Sequence, residues 1–268
     1  MRRQRYSTTQ ANLLIACYLT ICCMIACKSN SSKKNVDVSS IQIAFKEIRF
    51  DRELFACDTA QLEKAIEAIG NKYPDFSNVY FKELTGFYKN NDQTSFLQTV
   101  GHFLRYKDYR DLYDTVQHHF PNVDAVNDEL KSAFQHIHYY FPEQKWGTVY
   151  YFISGLNNWS AVTIDSCIGI GLDMHLGKQY PYYASVQIPE YQIARCEKEY
   201  IPINACKAIF EDMFPYSMDG KTMLDIMIRK GKEMLFIESI LPNATEHSLI
   251  GYTPAQLAWC KDNEAMIW

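Results

Sequence analysis

The sequence predicts an α+β fold in which helices dominate a small antiparallel sheet of about three strands. Three observations carry this. Apolar residues recur at steps of three and four from Leu62 to Phe141, the period shortens to strand-like alternation from Thr148, and helical spacing returns from Ile203. The soluble part, residues 41–268, is long enough for a substantial core, and no second linker, low-complexity run or repeat divides it, so one domain is expected.

The chain opens on a basic segment, Arg2, Arg3 and Arg5, followed by an apolar run from Leu13 to Ala26 that stops at Cys27. That run suits an export signal and is short for a span of roughly 20 apolar residues. Met24-Ile25-Ala26-Cys27 resembles a bacterial lipobox, which predicts a signal peptide over 1–26 and a mature, acylated (palmitate-bearing) N-terminus at Cys27. Residues 27–40 are rich in Ser, Asn and Lys and read as a flexible tether. Lys28 stands where an inner-membrane retention signal would place aspartate. The expectation is a lipoprotein anchored in the cell envelope and facing the periplasm, with the outer membrane favoured over the inner.

Each helix has its own signal. Asp58 and Gln61 resemble a capping box opening a helix over Thr59–Ile69, with Gly70 and Asn71 as its stop. Further stripes run through Phe76, Val79, Tyr80, Leu84 and Phe87, then Phe96 to Leu104, then Leu112, Val116 and Phe120. The clearest is Val126, Leu130, Phe134, Ile137 and Phe141, ended by Pro142. Thr148–Ile153, Ser160–Asp165 and Ile168–Met174 read as three strands of an antiparallel meander, with turn chemistry at Gly155–Asn158. Gly169 and Gly171 share a face where something bulky packs closely. Ile203–Met213 and Met223–Ile240 read as helices. Thr253-Pro254-Ala255-Gln256 opens a last helix through Leu257, Cys260, Glu264 and Ile267, which has no stop signal.

Net charge is −4 for the whole precursor and more negative without its basic leader, so nucleic acid is not an expected partner. Cys57, Cys167, Cys196, Cys206 and Cys260 are odd in number and irregular in spacing, which argues against a disulfide framework or a zinc site. No phosphate loop or nucleophile elbow is present. His118 with His119, and His136 with His138, diverge in direction and read as solvated or capping residues, so no metal and no cofactor is expected. Asp173, His175, Tyr180, Tyr182 and Tyr183 follow the third strand and could ring a ligand or partner cleft, with Glu238 as a further carboxylate. A structured loop held by tyrosine packing is the favoured alternative. Glu238, near the apolar side marked by Leu235, needs a partner where it is buried, for which Lys221 or Arg229 stands available. Thr59 and Thr115 sit in Asp-Thr-apolar triplets that resemble O-glycosylation acceptors, and Thr59 is expected at an exposed helix start.

Four segments, IRFDRELFACD from Ile48, GIGLDMHLGKQYPYY from Gly169, GKEMLFIESILP from Gly231 and IGYTPAQLAWCKDNEAMIW from Ile250, resemble those of the gliding motility lipoprotein family GldB of the Bacteroidota. The resemblance implies a non-enzymatic, membrane-tethered component of the gliding and type IX secretion machinery, with other envelope proteins as partners and the membrane contacted through acyl chains. The family is also distantly similar to zinc peptidases with an H-E-x-x-H helix, which implies a degenerate zinc-peptidase-like arrangement and, as the alternative function, a hydrolase or degenerate hydrolase with a substrate cleft. The corresponding segment, Cys196–Met213, contains no histidine, so zinc catalysis is not expected. Family members continue past the segment matching NEAMIW, so a C-terminally shortened relative with an exposed end is expected.

Overall fold

The computed structural model, which describes residues 36–88 and 92–267, opens with a strand rather than a helix. β1 (Lys46–Arg49) pairs in parallel with β2 (Thr148–Phe152), Lys46 opposite Thr148 and Arg49 opposite Tyr151. Only Ile48 of its four residues is apolar and buried, so no alternation marks it. A short charged strand suits a sheet edge, where it discourages pairing with other chains. The chain turns directly into α1 (Phe50–Phe55), which buries Phe50, Leu54 and Phe55.

The helical region follows as α2 (Leu62–Lys72), α3 (Pro74–Val79), α4 (Gln93–Arg105), α5 (Lys107–His119) and α6 (Asp124–Tyr140). The capping box expected at Asp58 is a simpler device. Asp58 accepts from the Ala60 amide at 2.9 Å, Thr59–Gln61 forms a 3₁₀ turn, and α2 starts at Leu62. It runs through Gly70 and Asn71 and stops before Pro74, whose ring disfavours helix at the preceding residue. α3 continues into one π turn, Tyr80–Leu84, and ends before Gly86, which adopts φ 62°. In α6 the stripe Val126, Leu130, Phe134 and Ile137 is buried as its spacing predicts.

The sheet is completed by β3 (Ala161–Ile164) and β4 (Cys167–Gly171), in the order β1-β2-β4-β3. The α+β class with helices dominant holds, whereas the three-strand antiparallel meander does not: the sheet has four strands, β2 and β4 are parallel neighbours, and only β3 runs antiparallel. Burial explains the order. Val149, Tyr151, Phe152, Ile168 and Ile170 are fully enclosed and need neighbours on both sides, while Ala161, Val162 and Thr163 of β3 are half-exposed and go to the edge. The segment expected as the end of the third strand, Leu172–Met174, is a 3₁₀ turn.

An aromatic cluster joins sheet to helices. Phe76 stacks on Tyr150 with centroids 4.1 Å apart, Phe50 meets Phe76 and Tyr80 edge-on, and the Tyr80 hydroxyl donates to the Ile153 carbonyl at 2.8 Å. Burying each phenylalanine contributes roughly 2–3 kcal/mol before entropy. Gly169 makes room for this cluster, since a Cβ there would lie 3.0–3.2 Å from Val162, Phe152 and Phe76.

The remaining elements are α7 (Tyr182–Ser185), α8 (Glu190–Ile193), α9 (Ile201–Met213), α10 (Met223–Ile240), α11 (Glu246–Ile250), α12 (Pro254–Asp262) and α13 (Glu264–Ile267). α9 packs against β3, β4, α6 and α10. The Thr253–Gln256 capping box forms. The uninterrupted last helix does not: α12 stops at Asp262 because Asn263 turns its side-chain amide onto the Trp259 carbonyl at 2.8 Å, competing with helix continuation. Met266 and Ile267 are exposed. Among the described residues no helix is long and apolar enough to cross a membrane. The signal peptide and Cys27 lie outside the described residues.

Candidate functional site

β4 delivers the chain into a buried polar knot. Gly171 passes so close to the preceding loop that a Cβ would lie 2.0 Å from the Trp159 carbonyl oxygen, so this position excludes side chains. Beyond it, Asp173 is fully buried, and its Oδ2 accepts from the Ser154 amide at 3.0 Å, the Ser154 hydroxyl at 3.0 Å and the Leu156 amide at 2.8 Å. One carboxylate oxygen thereby fixes the turn after β2, including Leu156 at φ 64°. The other oxygen, Oδ1, has no partner among the described residues. Burial raises the Asp173 pKa and the three donors oppose that rise.

His175 is also fully buried. Its Nδ1 lies 2.9 Å from the Gly171 carbonyl, which can only accept, so Nδ1 carries the proton. Burial lowers its pKa to about 4, so the ring is neutral at pH 7 and Nε2 accepts from the Asn204 amide nitrogen at 3.1 Å. The Tyr183 hydroxyl donates to the Asp173 carbonyl at 2.9 Å and accepts from the Leu176 amide at 2.8 Å. The five residues proposed to ring one pocket therefore separate. Asp173, His175 and Tyr183 tie down a loop, while Tyr180, packed edge-on against Tyr183 with centroids 5.1 Å apart, and Tyr182 line a separate cleft.

Those two tyrosines line a cleft of 540 Å³ with His102, Tyr106, Tyr109 and Thr115. His102 stacks on Tyr106 at 4.7 Å, and Tyr180 lies 5.4 Å from Tyr182. Thr115 is an internal residue of α5 whose hydroxyl donates to the Asp111 carbonyl at 2.7 Å. Thr59 lies in the 3₁₀ turn before α2 and is half-buried rather than exposed. Glu238, half-buried on α10, is not part of this cleft.

The segment Gly155–Ser160 contributes to a second, polar cleft of 400 Å³, lined by Asn158, Ser160, Arg195, Cys196, Asn204 and Lys207 among others, none of them acidic. Sequence reasoning missed Arg195, Asn204 and Lys207. They share no motif, and the only signal was the zinc-peptidase comparison, which singled out Cys196–Met213 for what it lacks.

His136 corrects the expectation of a solvated histidine, because it is buried on α6 with Nδ1 bonded to the Ser132 carbonyl at 2.8 Å. His138 sits 3.3 Å from the Gln144 carbonyl. Glu233 is buried and paired with Lys230, one turn earlier, at 2.5 Å. Arg229 pairs with Glu211 and lies over the Phe210 ring. Among the described residues, no group of three or more His, Cys, Asp or Glu could hold a metal ion, and all five cysteines are free.

Residues 31–268 match the model of the family described as gliding motility protein GldB. No curated protein and no solved structure matches the chain.

Proposed function

This chain belongs to the GldB family of gliding motility proteins, and from that premise we propose that it is a non-enzymatic lipoprotein of the cell envelope, held at a membrane through acyl chains on Cys27 and working in the gliding and type IX secretion machinery. The observation that carries the reading is the family match over 31–268, which takes in almost the whole of the chain beyond the leader. Its partners are other envelope proteins. The lack of catalytic function is supported by the full burial of Asp173 and His175, with Asp173 Oδ2 and both His175 ring nitrogens committed to backbone and neighbouring side chains. The lipobox at Met24–Cys27 and the polar segment after it support the anchor, and Lys28 favours the outer membrane.

A deletion strain complemented with the wild-type chain or with Cys27→Ala tests this. Wild type should restore surface spreading and export of type IX cargo, while the variant should leave the membrane fraction and restore neither. Normal spreading and cargo export in the deletion strain would overturn the role. One tightly bound zinc per purified chain together with peptide hydrolysis would replace the non-enzymatic reading by the hydrolase one.

A further inference from the structure

Several cations in this fold pair directly with acids: Arg49 holds Asp51 at 2.7 Å, Arg229 holds Glu211 at 3.0 Å and Lys230 holds Glu233 at 2.5 Å. The polar cleft is different. It brings Arg195 and Lys207 together with Asn158, Ser160 and Asn204 and includes no carboxylate. Arg195 donates one bond from Nη2 to the neutral Ile250 carbonyl at 2.9 Å, and its buried Nε has no partner among the described residues. Lys207 makes no hydrogen bond or ion pair there. Two half-buried cations side by side, with Glu233 and Glu211 acting on Lys207 only from outside the cleft lining, are costly, and a bound anion reduces that cost.

We propose that this cleft binds an anionic group, a carboxylate or a phosphate, held by Arg195 and Lys207 and flanked by the neutral polar groups of Asn158, Ser160 and Asn204. Its geometry is set in advance. The Arg195 guanidinium is clamped beneath Gly251, where φ is 77° and a Cβ would lie 2.2 Å from the guanidinium nitrogens. A planar guanidinium fixed in this way suits paired recognition of a planar or tetrahedral oxyanion. Asn204 is fixed by a chain from the Gly171 carbonyl through neutral His175, which uses one of its two amide N–H groups and leaves Oδ1 as the acceptor for a donor on the ligand. Gln192 adds a buried Oε1 that likewise lacks a donor among the described residues. The ligand therefore carries N–H or O–H groups next to its anionic end. Burial above all, opposed by Glu233 and Glu211 and reinforced by Lys230 and Arg195, pushes the Lys207 ammonium below its ordinary pKa. A volume of 400 Å³ admits an oxyanion with several attached atoms.

The test titrates the soluble chain with inorganic phosphate, with acetate, and with an acetylated tripeptide bearing either a free or an amidated C-terminus, following the side-chain amide resonances of Asn158, Gln192 and Asn204. Saturable shifts with phosphate or with the free carboxylates are expected, and which of them binds more tightly identifies the source of the anion. Lys207→Met should weaken binding at least about tenfold, while Tyr182→Ala, in the other cleft, should leave it unchanged. Arg195→Gln serves only if its near-UV spectrum matches wild type, because Arg195 also holds Ile250. No saturable shift with any probe up to about 50 mM, or equal binding by wild type and a folded Lys207→Met, would overturn the proposal.

Discussion

The Asp173–His175 knot and the Arg195–Lys207 cleft are one hydrogen bond apart, through Asn204, yet they treat buried polarity in opposite ways. In the knot, a carboxylate, an imidazole and a phenol lie among backbone donors and acceptors that fix a turn. In the cleft, two cations have been brought together with no carboxylate in the lining. Polar groups that pair within the chain specify its shape, and polar groups that do not pair remain available to something outside it.

The comparison is broken most severely at Asp173. Asp173→Ala strands the donors of Ser154 and Leu156 and should cost about 3–5 kcal/mol by chemical denaturation. Asp173→Asn keeps an acceptor while removing a desolvated charge, and should cost clearly less. Equal losses for the two variants would mean that the charge itself, rather than its bonds, holds the turn.

The next effect is one of pH. The folded-state pKa of His175, about 4, lies below its ordinary value of 6.5. The unfolded chain therefore takes up the proton first. The contribution of His175 is complete above about pH 6.5 and is lost as pH falls toward 4, with a total on the order of 3 kcal/mol. Asp173, with its raised pKa, contributes in the opposite sense, losing stability as pH rises through and above the ordinary carboxylate range. His175→Asn should flatten the decline between pH 6.5 and 4, and a variant that keeps the wild-type slope would assign that slope to other groups.

Smaller effects belong to the cleft. Gly251→Ala puts a methyl group against the Arg195 guanidinium at a left-handed backbone position and should cost about 1–2 kcal/mol in thermal unfolding, together with weaker anion binding. Lys207→Met removes a charge without a direct partner and should change stability by less than about 0.5 kcal/mol, or raise it. A large loss of stability there would show that Lys207 is structural and that the two regions are alike.

Much of the helical framework was legible in the sequence because its cause is local. The stripe of α6, the limits of α10 and the Thr253–Gln256 cap each follow from residues three or four apart. β1 was not legible, since Lys46-Glu47-Ile48-Arg49 carries a single apolar residue and pairs with a strand far along the chain. Strand order escaped for a similar reason, because hairpin proximity favours β2 beside β3, whereas full burial of β4 puts it between them. Asp173 and His175 stood out as polar residues after an apolar strand. Arg195 and Lys207 did not, because lacking an acidic partner is a property of packing and leaves no mark in the order of residues.

The parallel pairing of β1 with β2 has a kinetic consequence. Lys46 meets Thr148 across about a hundred residues of chain, and closing a loop of that length costs on the order of 4 kcal/mol in chain entropy. Helices α2 to α6 all lie within that loop and can form from near neighbours before it closes. High contact order of this kind slows folding, and a chain emerging amino-terminus first carries β1 unpaired until most of the intervening helices have followed. The first strand to appear is thus among the last to lock, so the barrier to the native state is concentrated at the amino-terminal edge of the sheet.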